Sequence, residues 1–437
     1  GPWVSFGDNT SPDFRVAIAV TQLAFTIQPS NTGAGSVISP AVQVTAQDAS
    51  GNTVTSFNGA VTIAIGVNPV GGTLAGTKSV VASHGVAVFS TLSIERAGAG
   101  YTLQASATTG TGATLTGSSA TFAITPGAAT HLVFSVQPVT TAAGAAITPA
   151  VQVTARDALE NTATGFTGNV TVTLAANPTG GTLSGTTVVA ASAGIATFSG
   201  LAINKAGTGY TLSATAAGQT GATSTAFDIT PASAARLVFS VQPASVTAGA
   251  AITPAVQVIA QDAQGNTATG FSGNVTLAIG TNPGGGALAG TTTVAAASGI
   301  ATFTNLSINK ASSGYTLAAS ATGVSGATSA AFDVAAGAGS QLVFTVQPTS
   351  VTAGSVITPA VRVVAQDALG NTATSFTGNV SVALGSNPGG ATLAGTTTMA
   401  AVAGVATFGN LSVDKAGTGY TLTTSATGLT GQPSASF

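Results

Sequence analysis

The sequence predicts an all-β protein assembled from tandem β-sandwich repeats. In stretches such as 150–155 (AVQVTA) and 169–174 (NVTVTL), Val and Leu fill alternate positions, which is typical of strands with one buried face and one wet face. The connections between such stretches are rich in Gly, Asn and Pro, as tight turns require. The whole passage 146–174 returns at 37–65, 251–279 and 356–384, so one β unit occurs four times.

Two landmarks give the period of the repeat. The prolines of four Gln-Pro pairs and the tyrosines of four Gly-Tyr-Thr-Leu tetrads are both spaced by 109, 105 and 105 residues. A period near 105 residues matches a β-sandwich and is far longer than solenoid or propeller repeats. We therefore predict an N-terminal extension, 1–20, followed by repeat 1 (21–127), repeat 2 (128–232), repeat 3 (233–337) and repeat 4 (338–437), with the last strand of repeat 4 incomplete.

Repeat 2 illustrates the strands that we expect in each repeat. HLVFSV comes first and is closed by Pro138, which cannot donate to a β-ladder. The alternation then predicts strands over 150–155, 169–174, 182–190, 195–203, 210–215 and 223–229, about seven in all. Between the second and third strands we expect a turn in which Asp157 and Asn161 hydrogen-bond their own backbone. No segment carries an apolar stripe of helical period longer than about two turns.

The segment 205–214 (KAGTGYTLSA) refines the fold class. A tyrosine that follows a Gly-rich corner and stands two residues before an inward apolar position has the layout of the tyrosine corner of immunoglobulin-like sandwiches. Leu212 stands where a disulfide-bonded domain would carry cysteine. We expect half-buried core tyrosines whose hydroxyls bond nearby backbone, and these are Tyr101, Tyr210, Tyr315 and Tyr420.

These motifs carry a family resemblance. VQVTARDALENTATGF with NVTVTL, together with IATFSGLAI and GYTLSATA, resembles the tandem bacterial immunoglobulin-like (Big-type) repeats of surface and secreted proteins, including the stalks of invasin- and intimin-like adhesins. The resemblance covers 21–437 and implies four Ig-like sandwiches that act mostly as spacers. Short Pro-bearing linkers such as 228–236 predict a semi-rigid rod. Four sandwiches with strands of about ten residues would span on the order of 150 Å.

Composition excludes several classes of function. Charged residues make up 5% of the chain and the net charge is −2, so nothing favours a nucleic-acid partner. No apolar run approaches the roughly 18–20 residues of a transmembrane helix, and the absence of cysteine removes disulfides and thiolate chemistry. The two histidines lack metal-ligand spacing. Each Asp-x-x-x-Asn turn offers one carboxylate, too few for calcium. We expect no enzyme activity, no cofactor and no metal.

The two ends of the sequence suggest a partner. Phe122, Phe227 and Phe332 lie in the last strands of repeats 1–3 and continue as AIT, DIT and DVA, whereas Phe437 has no such continuation. At the other end, 14–18 (FRVAI) resembles a last strand with no sandwich before it. One hypothesis is a head-to-tail homopolymer in which this segment packs on repeat 4 of the next chain. The alternative is a piece cut from a longer array whose neighbouring repeats fill these positions. The candidate inter-subunit residues are Trp3, Phe6, Phe14, Val16, Ile18 and Phe437.

Glycans are a further candidate partner. An uncharged β protein with exposed strand edges invites aggregation, which O-linked sugar on outward threonines would counter. The sequence also holds six sequons, at Asn9, Asn169, Asn274, Asn305, Asn379 and Asn410.

The sequence thus predicts an exported, non-enzymatic structural protein of the cell surface or extracellular space, a stalk or a filament subunit. The alternative is an adhesin fragment that binds a receptor or a glycan. Such binding would map to 1–20 or to the longer hairpin 108–117 of repeat 1, because these segments depart from the repeat pattern.

Overall fold

The computed structural model describes residues 18–437, and these residues form β-strands and turns without an α-helix. The chain divides into two compact units, Gly1–Thr230 and Pro231–Phe437. The first unit contains repeats 1 and 2, and the second contains repeats 3 and 4. A large cluster of buried hydrophobic side chains lies within each repeat. The division into four domains with the bounds given above stays a prediction.

The strands are short and are numbered in chain order. Repeat 1 contains β1 (Gln22–Ile27), β2 (Thr32–Gly33), β3 (Val42–Gln47), β4 (Ala60–Ile65), β5 (Leu74–Ala75), β6 (Ser79–Val81), β7 (Val86–Phe89), β8 (Ser93–Ile94), β9 (Gly98–Tyr101), β10 (Leu103–Thr108), β11 (Thr114–Ser118) and β12 (Phe122–Thr125). Repeat 2 contains β13 (His131–Val136), β14 (Thr141–Ala142), β15 (Val151–Arg156), β16 (Asn169–Ala176), β17 (Leu183–Ser184), β18 (Val188–Ala190), β19 (Ile195–Phe198), β20 (Ala202–Ile203), β21 (Gly207–Thr215), β22 (Ala222–Thr223) and β23 (Phe227–Thr230).

The second unit repeats this order. Repeat 3 contains β24 (Arg236–Val241), β25 (Val246–Thr247), β26 (Val256–Gln261), β27 (Asn274–Ile279), β28 (Leu288–Ala289), β29 (Thr293–Ala295), β30 (Ile300–Phe303), β31 (Ser307–Ile308), β32 (Ser312–Tyr315), β33 (Leu317–Ala321), β34 (Val324–Thr328) and β35 (Phe332–Ala335). Repeat 4 contains β36 (Gln341–Val346), β37 (Val361–Gln366), β38 (Asn379–Leu384), β39 (Leu393–Ala394), β40 (Thr398–Ala400), β41 (Val405–Phe408), β42 (Ser412–Val413), β43 (Leu422–Ser425) and β44 (Thr430–Gly431).

The strand pairing of repeat 2 is that of an immunoglobulin-like sandwich. One sheet has the order β13-β15-β19, and the other has the order β14-β23-β21-β16-β18. Strand β14 runs parallel to β23, and the other pairs in these two sheets are antiparallel. The first, second and fifth predicted strands, which are β13, β15 and β19, thus share one sheet. The third, β16, pairs with the sixth, β21, in the other sheet, as in Ig-type topology. The predicted all-β, Ig-like fold class is confirmed.

Alternation along the strands builds the core. Val151 and Val153 of β15 are fully buried, and they pair with Phe198 and Ala196 of β19, which are equally buried. Gln152 between them is partly exposed. Because successive side chains point to opposite faces of a strand, one face of each sheet collects the apolar residues and the other keeps the polar ones.

Three of the strands predicted for repeat 2 are each divided between two short ones, among them 223–229, which covers the end of β22 and the start of β23. The stretch 182–190 forms β17 and β18, and 195–203 forms β19 and β20, with β17 pairing β20. Gly185 lies at the first break with φ +96°, and a Cβ atom there would collide with the carbonyl oxygen of Gly200. Period-2 alternation continues through these breaks, so the pattern alone does not reveal them.

Candidate functional site

The four corner tyrosines occupy equivalent positions. Their hydroxyls donate to the carbonyl oxygen of the residue five positions earlier, at 2.9 Å for Tyr101, Tyr210 and Tyr315 and at 3.1 Å for Tyr420. The rings are fully buried rather than half-buried, with at most 4% exposure. Each bond ties the buried tyrosine ring to the loop before it, and in repeats 1 and 3 that loop forms part of the junction described below.

The Asp-x-x-x-Asn turn is preformed in each repeat. In repeat 2 the Asp157 Oδ1 atom accepts the backbone N–H groups of Leu159 and Asn161, both at 2.9 Å. The Asn161 Nδ2 atom donates to Asp157 Oδ2 at 3.1 Å. Asp367 and Asn371 make the same bonds in repeat 4. The backbone bonds to the aspartate are those that the sequence predicts for a turn, whereas the asparagine side chain bonds the aspartate carboxylate and not the backbone of its own turn.

The asparagine of this turn also binds the preceding repeat. Asn161 Nδ2 donates to the carbonyl oxygen of Glu95 at 2.9 Å, and the Ala97 N–H group donates to Asn161 Oδ1 at 2.8 Å. The side-chain amide therefore pairs with backbone on both sides of Arg96, whose own carbonyl accepts the Tyr101 hydroxyl. We call this two-bond contact the amide clamp.

The amide clamp recurs in the second unit. Asn371 Nδ2 donates to the carbonyl oxygen of Asn309 at 3.1 Å, and the Ala311 N–H group donates to Asn371 Oδ1 at 3.0 Å. Both clamp asparagines are buried, with 7% exposure. The same side chain thus joins repeat 2 to repeat 1 and repeat 4 to repeat 3.

The aspartate of the turn fixes the linker that enters its repeat. Asp157 Oδ2 accepts the Gly127 N–H group at 2.8 Å, and Asp367 Oδ2 accepts that of Gly337 at 2.9 Å. Burial alone would raise the pKa of Asp157, but hydrogen bonds from Gly127, Asn161 and Leu159 outweigh it and hold the pKa below its usual 3.8. The pKa of Asp367 is lowered in the same way.

A leucine completes each contact. A Cβ atom placed on Gly35 would lie 2.8 Å from Leu159 Cδ1, and one placed on Gly249 would lie 2.8 Å from Leu369 Cδ1. Both glycines have φ above +70°, so each leucine methyl lies over a turn of the preceding repeat that only glycine adopts without strain. Hydrogen bonds and apolar contact therefore act together at the junction.

The junction between repeats 1 and 2 also carries a charged cleft. Glu160 lies 3.1 Å from His131 and 3.6 Å from Arg156, measured between side-chain N and O atoms. A cavity of about 600 Å³ opens beside them and is lined by Arg96, Arg156, Asn161 and Pro126, among others. The buried Nε atom of Arg156 has no hydrogen-bond partner among residues 18–437. Glu160 adopts φ 66°, where the equivalent residues in the other three loops are glycines.

The candidate contact residues near the chain ends fall into two groups. Trp3, Phe6, Phe14 and Val16, like the sequon at Asn9, lie outside the described residues. Ile18 is 57% exposed and lines a groove of about 250 Å³ together with the hairpin residues Thr109 and Thr111. The Phe437 ring packs on Tyr420 with 6.1 Å between ring centroids. Equivalent pairs join Phe122, Phe227 and Phe332 to their corner tyrosines.

The described sequons differ in accessibility. Asn169, Asn274 and Asn379 begin equivalent strands and are exposed. Asn305 and Asn410 are exposed as well, but their side-chain amides donate to Thr291 and Thr396, at 3.2 and 3.1 Å. The first three are therefore the better candidates for glycosylation.

Residues 18–437 contain neither a cluster of metal ligands nor a membrane-spanning helix. No group of three or more His, Asp or Glu side chains within 18–437 could hold a metal ion. Within the same range no helix is long and apolar enough to cross a bilayer.

Comparison with known proteins finds similarity in structure and not in sequence. No protein-family model matches the chain, and no curated protein matches it in sequence. Among solved structures it is similar to the Escherichia coli adhesin FdeC (18% identity, TM-score 0.35, covering 73% of this chain and 98% of that one). It is also similar to a tetra-tandem repeat from the extending region of a large adhesion protein (16%, 0.30, 94% and 96%) and to Yersinia pseudotuberculosis InvD (20%, 0.33, 70% and 97%). The fold assignment above rests on the strand pairing.

Proposed function

We propose that this chain is a non-enzymatic structural element of an exported surface or extracellular protein, in which Ig-like repeats are coupled end to end as a stalk. The observation that carries the proposal is the amide clamp, which recurs with the same two bonds at two junctions. A side chain used in this way sets the orientation of one repeat relative to the next, which is what a stiff spacer requires.

The energetics of the clamp favour a stiff junction over a hinge. Flexible linkers between domains leave their relative orientation free. Here, by contrast, the aspartate holds the linker amide and the asparagine holds the preceding corner loop, while both are buried. Breaking such a contact would leave buried polar groups without partners, at about 1–3 kcal/mol for each group. The extended rod and the self-association predicted from the sequence remain part of this proposal, as does glycosylation at Asn169, Asn274 and Asn379.

Spin-label distances test the proposal on the full chain, which has no native cysteine to interfere. Labels are placed at the exposed positions Thr108 and Thr215 in the first unit, and at Ser320 and Ser425 in the second. Double electron–electron resonance should give a narrow distance distribution for each pair, and Asn161→Ala should broaden only the first. A broad distribution that Asn161→Ala leaves unchanged would contradict the proposal.

The export part of the proposal needs its own experiment. Brief protease treatment of intact producing cells should release peptides of this chain into the medium. A chain that is cleaved only after the cells are lysed would contradict a surface location.

A second candidate function, binding of an acidic saccharide, is favoured by the cleft of repeats 1 and 2. Two arginines line it, and the buried Nε–H group of Arg156 has no hydrogen-bond partner in the described part of the chain. Glu160 holds a left-handed conformation there. Strained residues cluster at functional sites. Titration with uronic-acid oligosaccharides should give saturable binding that Arg96→Ala weakens and Lys310→Ala, at the equivalent corner of repeat 3, leaves unchanged. Equal binding by both variants would remove this candidate.

A further inference from the structure

An Asp-x-x-x-Asn loop and a corner loop before one of the tyrosines are exposed, although the equivalent segments at the two described junctions form the amide clamp. We call them the clamp loop and the receiving corner. The loop is 48–52 of repeat 1, where the Oδ1 atom of Asn52 has no hydrogen-bond partner among residues 18–437. The corner is 414–416 of repeat 4, which aligns with 95–97 and 309–311. Among residues 18–437, the Ala416 N–H group and the Asp414 carbonyl oxygen have no hydrogen-bond partner like the one that Asn161 provides to Ala97 and Glu95.

Burial separates these exposed faces from the occupied ones. Asn161 and Asn371 are buried, whereas Asn52 is exposed. Ala97 and Ala311 are half-buried, whereas Ala416 is exposed. The exposed loop and corner thus carry the same kinds of groups as the two described junctions, but they do not form an amide clamp within the described chain.

A third feature of the receiving face is also open. Gly354 of repeat 4 aligns with Gly35 and Gly249 and has a similar φ of +80°. A leucine methyl covers each of those two glycines, whereas a Cβ atom placed on Gly354 would have no heavy atom within 4 Å among residues 18–437 other than those of its chain neighbours. The face of repeat 4 therefore presents the amide, the carbonyl and the glycine that a clamp loop covers elsewhere.

The loop of repeat 1 is already shaped to fit. Asp48 Oδ1 accepts the N–H groups of Ser50 and Asn52, both at 2.9 Å, and Asn52 Nδ2 donates to Asp48 Oδ2 at 3.2 Å. The equivalent distances in the docked loop of repeat 2 are 2.9, 2.9 and 3.1 Å. A loop that needs no rearrangement loses little conformational freedom on docking.

We propose that the 48–52 loop of one copy of this chain docks on the 414–416 corner of a second copy, with the Asn52 amide pairing to the Ala416 N–H group and the Asp414 carbonyl. This extends the proposed function, on which it rests, because it uses the amide clamp between molecules. Because the two surfaces in contact differ, each added copy leaves one loop and one corner free for a further copy.

The contact is small, so the association is weak. Stable protein interfaces bury about 1,200–2,000 Å², far more than one loop supplies. Ser50 also stands where Leu159 and Leu369 cover a glycine, so the apolar part is missing. We expect a dissociation constant between about 0.1 and 1 mM, and Ser50→Leu should tighten it by restoring the leucine methyl over Gly354.

Hydrogen exchange at single-amide resolution tests this on the full chain at about 5 µM and about 1 mM. Protection of the Ala416 amide should rise with concentration and rise further in Ser50→Leu. The rise should be smaller in Asn52→Asp, which keeps an acceptor for the Ala416 N–H group but loses the donor to the Asp414 carbonyl. Asn58→Ala is the matched control, because Asn58 is exposed on the same repeat and its side chain makes no hydrogen bond to any of residues 18–437.

The amides of Ala97 and Ala311 serve as internal references. If they are protected while Ala416 exchanges equally at both concentrations in the wild type and in Ser50→Leu, docking between copies is wrong and the stalk function stands. Rapid exchange of the Ala97 and Ala311 amides would contradict both the docking between copies and the stalk function. A rise at Ala416 that Asn52→Asp does not reduce would place self-association on another face and overturn the inference.

Discussion

The two junctions that the structure describes share their amide clamp and differ in what surrounds it. Between repeats 1 and 2, the Glu160 carboxylate lies beside the clamp, 3.6 Å from Arg156 and 3.1 Å from His131. Between repeats 3 and 4, glutamine and glycine stand at the positions of Arg156 and Glu160. The clamp distances nevertheless agree within about 0.2 Å (2.8 and 2.9 against 3.0 and 3.1 Å). The amide clamp is therefore formed by neutral hydrogen bonds, and the charged side chains of Arg156 and Glu160 are an addition at the first junction.

The largest effect should come from removing the clamp amide. Asn161→Ala and Asn371→Ala each leave a backbone N–H and a carbonyl of the preceding repeat unpaired, which costs about 1–3 kcal/mol. We expect exchange of the Ala97 and Ala311 amides to rise by roughly 5–150-fold, equally at both junctions. Asn58→Ala should change neither. A much larger effect at one junction would show that the charges take part in the clamp.

Acid should loosen both junctions together. The pKa values of Asp157 and Asp367 are lowered in the folded protein, so their ionised forms stabilise it fully above the unfolded value near 3.8. That stability is lost as the pH falls from 3.8 through the lowered folded pKa. Calorimetric unfolding temperatures should therefore drop over this range.

The double variant Asp157→Asn/Asp367→Asn provides the comparison for this acid effect. It should have a lower unfolding temperature at pH 6 and a flatter dependence on pH below 4. A dependence as steep as that of the wild type would assign the acid loss to other carboxylates.

The sequence predicts the two-sheet fold because alternation and turn residues are local signals. It also predicts the Asp157–Asn161 turn, because that turn is made by bonds within five residues. The clamp escaped prediction because the second partner of Asn161 lies 66 residues earlier in the chain. A role in the local turn is enough to explain the asparagine, so the sequence pattern does not predict a second contact with the preceding repeat. The apolar residues Leu159 and Leu369 in two polar turns indicated a contact, but the sequence alone does not show which segment they contact.

A smaller effect should follow loss of the junction leucines. Leu159→Ala and Leu369→Ala remove a methyl contact over Gly35 and Gly249, but both side chains are 42% exposed already. We expect about 1 kcal/mol at each junction, measured as faster exchange of the Ala97 and Ala311 amides. Val188→Ala, at a valine of similar exposure in the edge strand β18, is the control and should have no effect on either amide.

The smallest effect should be confined to the first junction. Glu160→Gln removes the partner of His131 and Arg156 while keeping the backbone and the size of the side chain. Partly exposed ion pairs contribute about 0.2–1 kcal/mol and are screened by salt. In the wild type, raising NaCl to about 0.5 M should therefore speed exchange at Ala97 slightly and leave Ala311 unchanged. In Glu160→Gln neither amide should respond to salt, because the amide clamp joins uncharged groups and the Asp157 and Asp367 carboxylates, which hold the linkers, are buried at both junctions alike. Equal salt responses at Ala97 and Ala311 in the wild type would mean that the two junctions do not differ in the way their side chains suggest.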